Sequence, residues 1–138
     1  MRKLGNIMNP FTPNITFWYE HKTTADTVFD IVCGWLCETL VPDKDFFIKK
    51  TNNRRDIIFH DGGVIRFVKV TESACRLRCA ESFLIENIAS NLVHQIVFPA
   101  TTIGAGEVYV LDTSTAFSMY KSIALTRRKW KEVQMNEE

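Results

Sequence analysis

Ile57-Ile58-Phe59-His60-Asp61-Gly62-Gly63-Val64-Ile65-Arg66-Phe67-Val68 is the stretch on which the fold turns. Two runs of β-branched and aromatic residues flank Asp-Gly-Gly, and glycine supplies the positive φ that a tight hairpin turn needs. The pattern predicts an antiparallel hairpin over residues 56–70. Upstream, Ile15 to Glu20 reads as a β-branched and aromatic strand. Thr23 or Thr24 can cap a helix after it, with Asp26 favouring the positive end of the helix dipole. Ala25, Val28, Phe29, Val32, Leu36 and Leu40 recur at helical spacing, so this helix should lie across a sheet, and Pro42 should end it. Phe46 to Lys49 is a short apolar run. Downstream, Ser82 to Ile85, Gln95 to Ala100 and Glu107 to Leu111 read as strands, and Ser114 to Val133 as one or two helices ending in a charged tail.

The order is therefore β, α, hairpin, three further strands and α. Strands this apolar argue for a buried, mostly parallel sheet with the hairpin inserted and helices flanking it, which is the α/β class. Pro10 and Pro13 break residues 1–13 into an N-terminal arm, and 14–138 form one domain with a C-terminal helical segment. The 138 residues suffice for one proper core and are too few for two. With 17 Lys+Arg against 16 Asp+Glu, the net charge of +1 excludes a purely electrostatic, histone-like binder. No apolar run approaches the roughly 18 to 20 residues of a membrane span, so no membrane partner is expected. The polar, Pro-broken start is no secretory signal, and the expected location is cytoplasmic.

Cys33, Cys37, Cys75 and Cys79 form two C-x3-C pairs. On helices each pair shares a face, and two faces could close a zinc tetrahedron; the plainer reading is buried small hydrophobes. Glu20-His21-Lys22 is an E-x-K at a strand end, the arrangement by which restriction-like nucleases hold magnesium and activate water. No Asp precedes it on another strand, as that fold requires. His21, His60 and His94 show no metal-ligand spacing, and Asp26 with Asp30 at i,i+4 is most simply a solvated face. No nucleophile elbow occurs. The basic residues are clustered: Lys49, Lys50, Arg54 and Arg55; Arg76 and Arg78; and Arg127, Arg128, Lys129 and Lys131 around Trp130. Cations interleaved with an aromatic can grip phosphates and stack a base. The competing reading packs Trp130 on the domain and leaves the charges in water.

Together these residues suggest a family. Ile57 to Val68 resembles the strand, Asp-Gly, strand hairpin in the ATPase domain of viral, phage-type large terminases. Arg76 to Asn87 (RLRCAESFLIEN) is similar to that family's arginine element and its Walker B strand. Ile96 to Thr102 (IVFPATT) resembles the next core strand and coupling motif, and Ile15 to Leu36 fits the strand and helix before the hairpin. The resemblance spans residues 14–106. It implies a P-loop NTPase-like fold with Glu86, Asn87, Thr101 and Thr102 lining a former nucleotide crevice.

The departures are chemical. No G-x-x-x-x-G-K-[ST] phosphate loop exists, so nothing supplies the Lys and amide cradle for β- and γ-phosphates. The Asp-Glu that ends Walker B is Glu86-Asn87 here, and Asn cannot take a proton. A nuclease domain has no room.

The resemblance then implies a reduced, non-catalytic viral protein acting by binding in the host cell's cytoplasm. Its partner would be a protein, to modulate DNA packaging or a host defence system, or nucleic acid, and a homo-oligomer is compatible. Arg54, Arg55, Arg76, Arg78, Arg127, Arg128 and Trp130 are the binding candidates. Two alternatives stand beside it: a magnesium-dependent nuclease using Glu20 and Lys22, and a zinc-stabilised nucleic-acid-binding module using the four cysteines. No cofactor is expected on the leading reading.

Overall fold

A computed structural model describes residues 14–51, 54–60, 62–103, 107–110 and 128–130. Its elements are β1 (Asn14–Tyr19), α1 (Lys22–Thr39), β2 (Phe46–Thr51), β3 (Arg54–Phe59), β4 (Val64–Lys69), β5 (Glu81–Leu84), β6 (Glu107–Val110) and β7 (Arg128–Lys129). The seven strands form one sheet in the order β2-β3-β4-β1-β5-β6-β7. β1 pairs parallel with β4 and β5, and β5 with β6. The pairs β2–β3, β3–β4 and β6–β7 are antiparallel. Five strands thus run one way, and only β3 and β7 oppose them. The fold is α/β with a mostly parallel sheet.

β1 is central because its side chains are apolar toward both faces. Ile15, Phe17 and Tyr19 pack under α1 with its Ala25, Val28, Phe29, Val32 and Leu36. Phe17 meets Phe67 and Phe83 edge-on at 4.9 and 5.4 Å, and Phe29 meets Phe67 at 5.4 Å. Each such pair adds about 0.5–1.5 kcal/mol beyond its buried area. Trp18, facing the other way, packs with Val68, Leu84, Val108 and Trp130 against Val93, Ile96, Val97 and Ala100.

Those last four residues lie on a helical segment, 90–100, where the sequence predicts a strand over Gln95–Ala100. It is built from Ser90–Leu92, Val93–Val97 and Phe98–Ala100, the middle turn being a π-helix. Pro99 cannot donate a backbone hydrogen bond, and the wider winding falls just before it. The apolar stripe 93, 96, 97 and 100 has helical, not strand, spacing.

Three further expectations change. α1 starts at Lys22 with His21 as its N-cap, so Thr23 and Thr24 are inside it and Asp26 is beyond its first turn. The helix stops at Thr39, with Leu40 already extended and Pro42 clear of it. Arg128–Lys129 is a strand where a helix is expected. The rest of Ser114–Val133, and the arm 1–13, lie outside the described residues. The hairpin turn is as expected: Gly62 has φ +96°, and Phe59 N–H donates to Gly63 O at 2.8 Å. Among the described residues no helix is long and apolar enough to cross a membrane.

One polar chain runs through the second layer. Trp18 Nε1–H donates to Ser82 Oγ at 2.9 Å, and Thr101 Oγ1 donates to Val97 O at 2.6 Å. The 2.5 Å contact between Ser82 Oγ and Thr101 Oγ1 then has Ser82 as donor, since the Thr101 proton is already committed. Ser82→Ala leaves a buried indole N–H without its acceptor and should destabilise by about 1–3 kcal/mol in denaturant unfolding.

Candidate functional site

The chain leaves β1 through α1 toward the β2–β4 side of the sheet, and leaves β5 through segment 90–100 toward β6 on the other side. Adjacent parallel strands whose connections depart in opposite directions leave a crevice beyond their carboxyl ends, where α/β sheets place ligands. At this point stand Glu20 and His21, after β1, and Glu86, just past β5. Glu86 Oε2 accepts the backbone N–H of Glu20 at 3.0 Å and of His21 at 3.1 Å, and Oε1 meets His21 Nδ1 at 2.5 Å. One ligand atom from each of Glu20, His21 and Glu86 lies within 4.8 Å of the others, the donor set a divalent cation would need. The Glu86 oxygens, however, already serve as acceptors inside the cluster.

This arrangement re-sorts the sequence candidates. Glu20 and Glu86 belong to rival readings of the sequence, and the fold brings them together. Lys22 opens α1, so the backbone turns from strand to helix inside Glu20-His21-Lys22, and the same-side strand geometry of a nuclease E-x-K is not formed. Asn87 is exposed beside Glu86. Thr101 bonds Ser82, four residues or about 13 Å back along β5. Thr101 and Thr102 therefore sit toward the amino end of the strand and line no crevice with Glu86.

The cysteines separate as well. Cys33 packs with the α1 layer and Cys75 with the opposite one. Cys79 is buried against Ser82 and Thr101, and Cys37 is exposed. With the sheet between the pairs, the four thiols do not converge on one metal. Burial pushes the Cys33 thiol up to about 11, which keeps it protonated and a poor ligand.

Among the basic candidates, Arg55 is buried. It pairs with Asp26, and its guanidinium lies 5.8 Å from the Phe29 ring centre. Arg55 also bonds the Tyr19 phenol, whose pKa burial raises against the lowering effect of that guanidinium. Arg78 donates to the carbonyls of Cys75 and Leu77. Trp130 is 5% exposed, edge-on to His94 at 5.0 Å and Phe98 at 5.6 Å, so it is core and stacks no base. Arg127 lies outside the described residues, and Arg128 is placed in β7.

Arg54 and Arg76 do come together. With Thr51, Thr71 and Ser73 they line a groove of about 470 Å³, to which Val68, Lys69, Ala74 and Leu77 also contribute. Strand alternation turns the Lys69 side chain to the opposite face, beside Tyr19. Among the described residues no carboxylate lines the groove. Arg54 is aimed by a two-point ion pair with Asp56, Nε to Oδ1 at 2.8 Å and Nη2 to Oδ2 at 2.9 Å. The groove abuts the switch point, because Lys69 pairs with Tyr19 in the β4–β1 register.

No family model, curated protein or solved structure matches this chain.

The three hydroxyls carry no sequence signal: they gather only because the end of β2, the end of β4 and the 3-10 turn Glu72–Arg76 meet there.

The hydrogen bond and charge of Glu86 raise the His21 pKa from its ordinary 6.5, with Lys69 opposing. A raised folded-state pKa means the pair stabilises the fold below the unfolded value and loses that contribution as pH rises through the folded one. The His21 midpoint followed by NMR should therefore exceed 6.5 and fall back toward it in Glu86→Gln. The stability gap between wild type and that variant should narrow at alkaline pH.

Proposed function

We propose that this protein acts by binding, and that its ligand is the phosphate backbone of nucleic acid held in the groove of Arg54 and Arg76. The observation that carries the reading is two arginines and three hydroxyl residues around one cavity with no acid among its described lining residues. Guanidinium groups meet phosphate oxygens with charge-assisted hydrogen bonds, and hydroxyls add neutral ones. The near-zero net charge does not oppose this, since the field at the groove is local.

The reading accords with a reduced, terminase-like ATPase domain that no longer handles nucleotide, acting on packaged DNA or on a complex that carries it. Support comes from the switch point. In a phosphate-loop enzyme the amides between the first strand and its helix receive phosphate oxygens. Here the amides of Glu20 and His21 are given to Glu86, whose negative charge also repels phosphate. Calorimetry with ATP and magnesium should give no heat of binding at micromolar affinity, and a micromolar Kd would remove this part of the proposal.

For the groove, anisotropy of a labelled oligonucleotide should show binding that weakens linearly in log Kd against log salt. Arg76→Gln, at an exposed position, should reduce the slope by about 0.7–0.9. An unchanged slope in that variant, or no binding at low salt, would reject the groove as the site.

A further inference from the structure

Among the described residues, nothing packs on the face of β2 and β3 turned away from α1. Phe46, Ile57 and Phe59 point into the α1 layer. Strand alternation therefore sends Phe47, Lys49 and Thr51 of β2 to the opposite face, where they stand across from Ile58, Asp56 and Arg54 of β3. β4 adds Arg66 beside Asp56 and Val68 beside Arg54. The core around segment 90–100 reaches Val68 on this side and includes no residue of β2 or β3. Phe47 is 46% exposed and Ile58 36%.

The patch has a direction. At one end an aromatic ring and an isoleucine lie on the sheet. In the middle Lys49 stands across from Asp56, whose carboxylate pairs with Arg54, and half-buried Arg66 donates to Asn14 Oδ1 at 2.6 Å. At the other end Thr51 and Arg54 pass into the groove already described. From Phe47 to Thr51 is four strand residues, about 13 Å, which about four stacked nucleotides cover at ~3.4 Å each.

We propose that this face takes single-stranded nucleic acid, one base stacked on Phe47 and the backbone running over Lys49 into the Arg54–Arg76 groove. The proposal rests on the groove reading and adds to it the selection of single strands over duplex. A base in a duplex has its faces covered by its neighbours, whereas an unpaired base can lie on the ring. Lys49, two residues along the same strand face from the ring, and the arginines of the groove fit a phosphate chain and oppose a basic or purely apolar partner.

The test measures a labelled oligo-dT strand and a duplex of equal length against the full chain at one salt concentration. Wild type should prefer the single strand. Phe47→Ala and Phe47→Leu should weaken single-strand binding roughly 5- to 100-fold, the loss expected for one stacked base, while Phe47→Trp retains it and duplex affinity moves in none of them. Phe47→Leu keeps the apolar area, so a folding defect in the alanine variant does not decide the matter. Leucine binding as well as phenylalanine, or duplex weakening in parallel, would overturn the stacking proposal while leaving the groove reading to its salt slope. Self-association of the wild type that Phe47→Ala abolishes, with single-strand affinity intact, would assign the face to a second copy instead. If neither nucleic acid binds, the groove reading and this proposal fall together.

Discussion

Strand β1 must be buried on both faces at once, and the rest of the structure follows from that. Its residues from Ile15 to Tyr19 are all buried, so each face needs a layer of its own. One layer is α1, which the chain can supply directly from the end of β1. The other cannot come from there, and segment 90–100 supplies it after the chain has crossed to β5. The two connections consequently leave β1 and β5 in opposite directions, and the carboxyl ends of those strands acquire a shared crevice. The polar chain from Trp18 through Ser82 and Thr101 to Val97 joins the second layer to the sheet at a defined register.

The parts of this fold that follow local rules were legible in the residues. The hairpin of Ile57 to Val68 alternates with period two around a glycine turn, and α1 carries an apolar stripe; both form where the pattern puts them, although the two ends of α1 differ from it. Gln95 to Ala100 reads as a strand because Ile96, Val97 and Phe98 favour strands and Pro99 disfavours a helix. The spacing of Val93, Ile96, Val97 and Ala100 was the better guide, since burial of one stripe outweighs propensities of a fraction of a kcal/mol per residue.

The site was much less legible, for a geometrical reason. Glu20 and Glu86 are 66 residues apart, and only the parallel pairing of β1 with β5 makes them neighbours. Arg54 and Arg76 are brought to one groove by β3, β4 and the turn after them. Trp130 shows the converse: its basic neighbours allow a nucleic-acid-stacking ring as well as a packed one, and the ring packs edge-on against His94 and Phe98. A side chain with that much apolar area gains more from burial than from an exposed position. The cysteine spacing misleads in the same way, because each C-x3-C pair satisfies a helical or turn geometry locally while the sheet stands between the two.

β2 is the end strand of the sheet, and it carries Phe47 and Ile48 followed directly by Lys49 and Lys50. An end strand offers its backbone amides and carbonyls as a template for another chain, and a flat apolar one invites stacking of sheet upon sheet. Strand alternation puts the two lysines on opposite faces, Lys50 with its ammonium 5.5 Å from the Phe29 ring centre. Each face of this edge therefore sets one positive charge against a copy approaching in register. Concentrated salt screens that repulsion, and acetylation of either lysine removes it from one face.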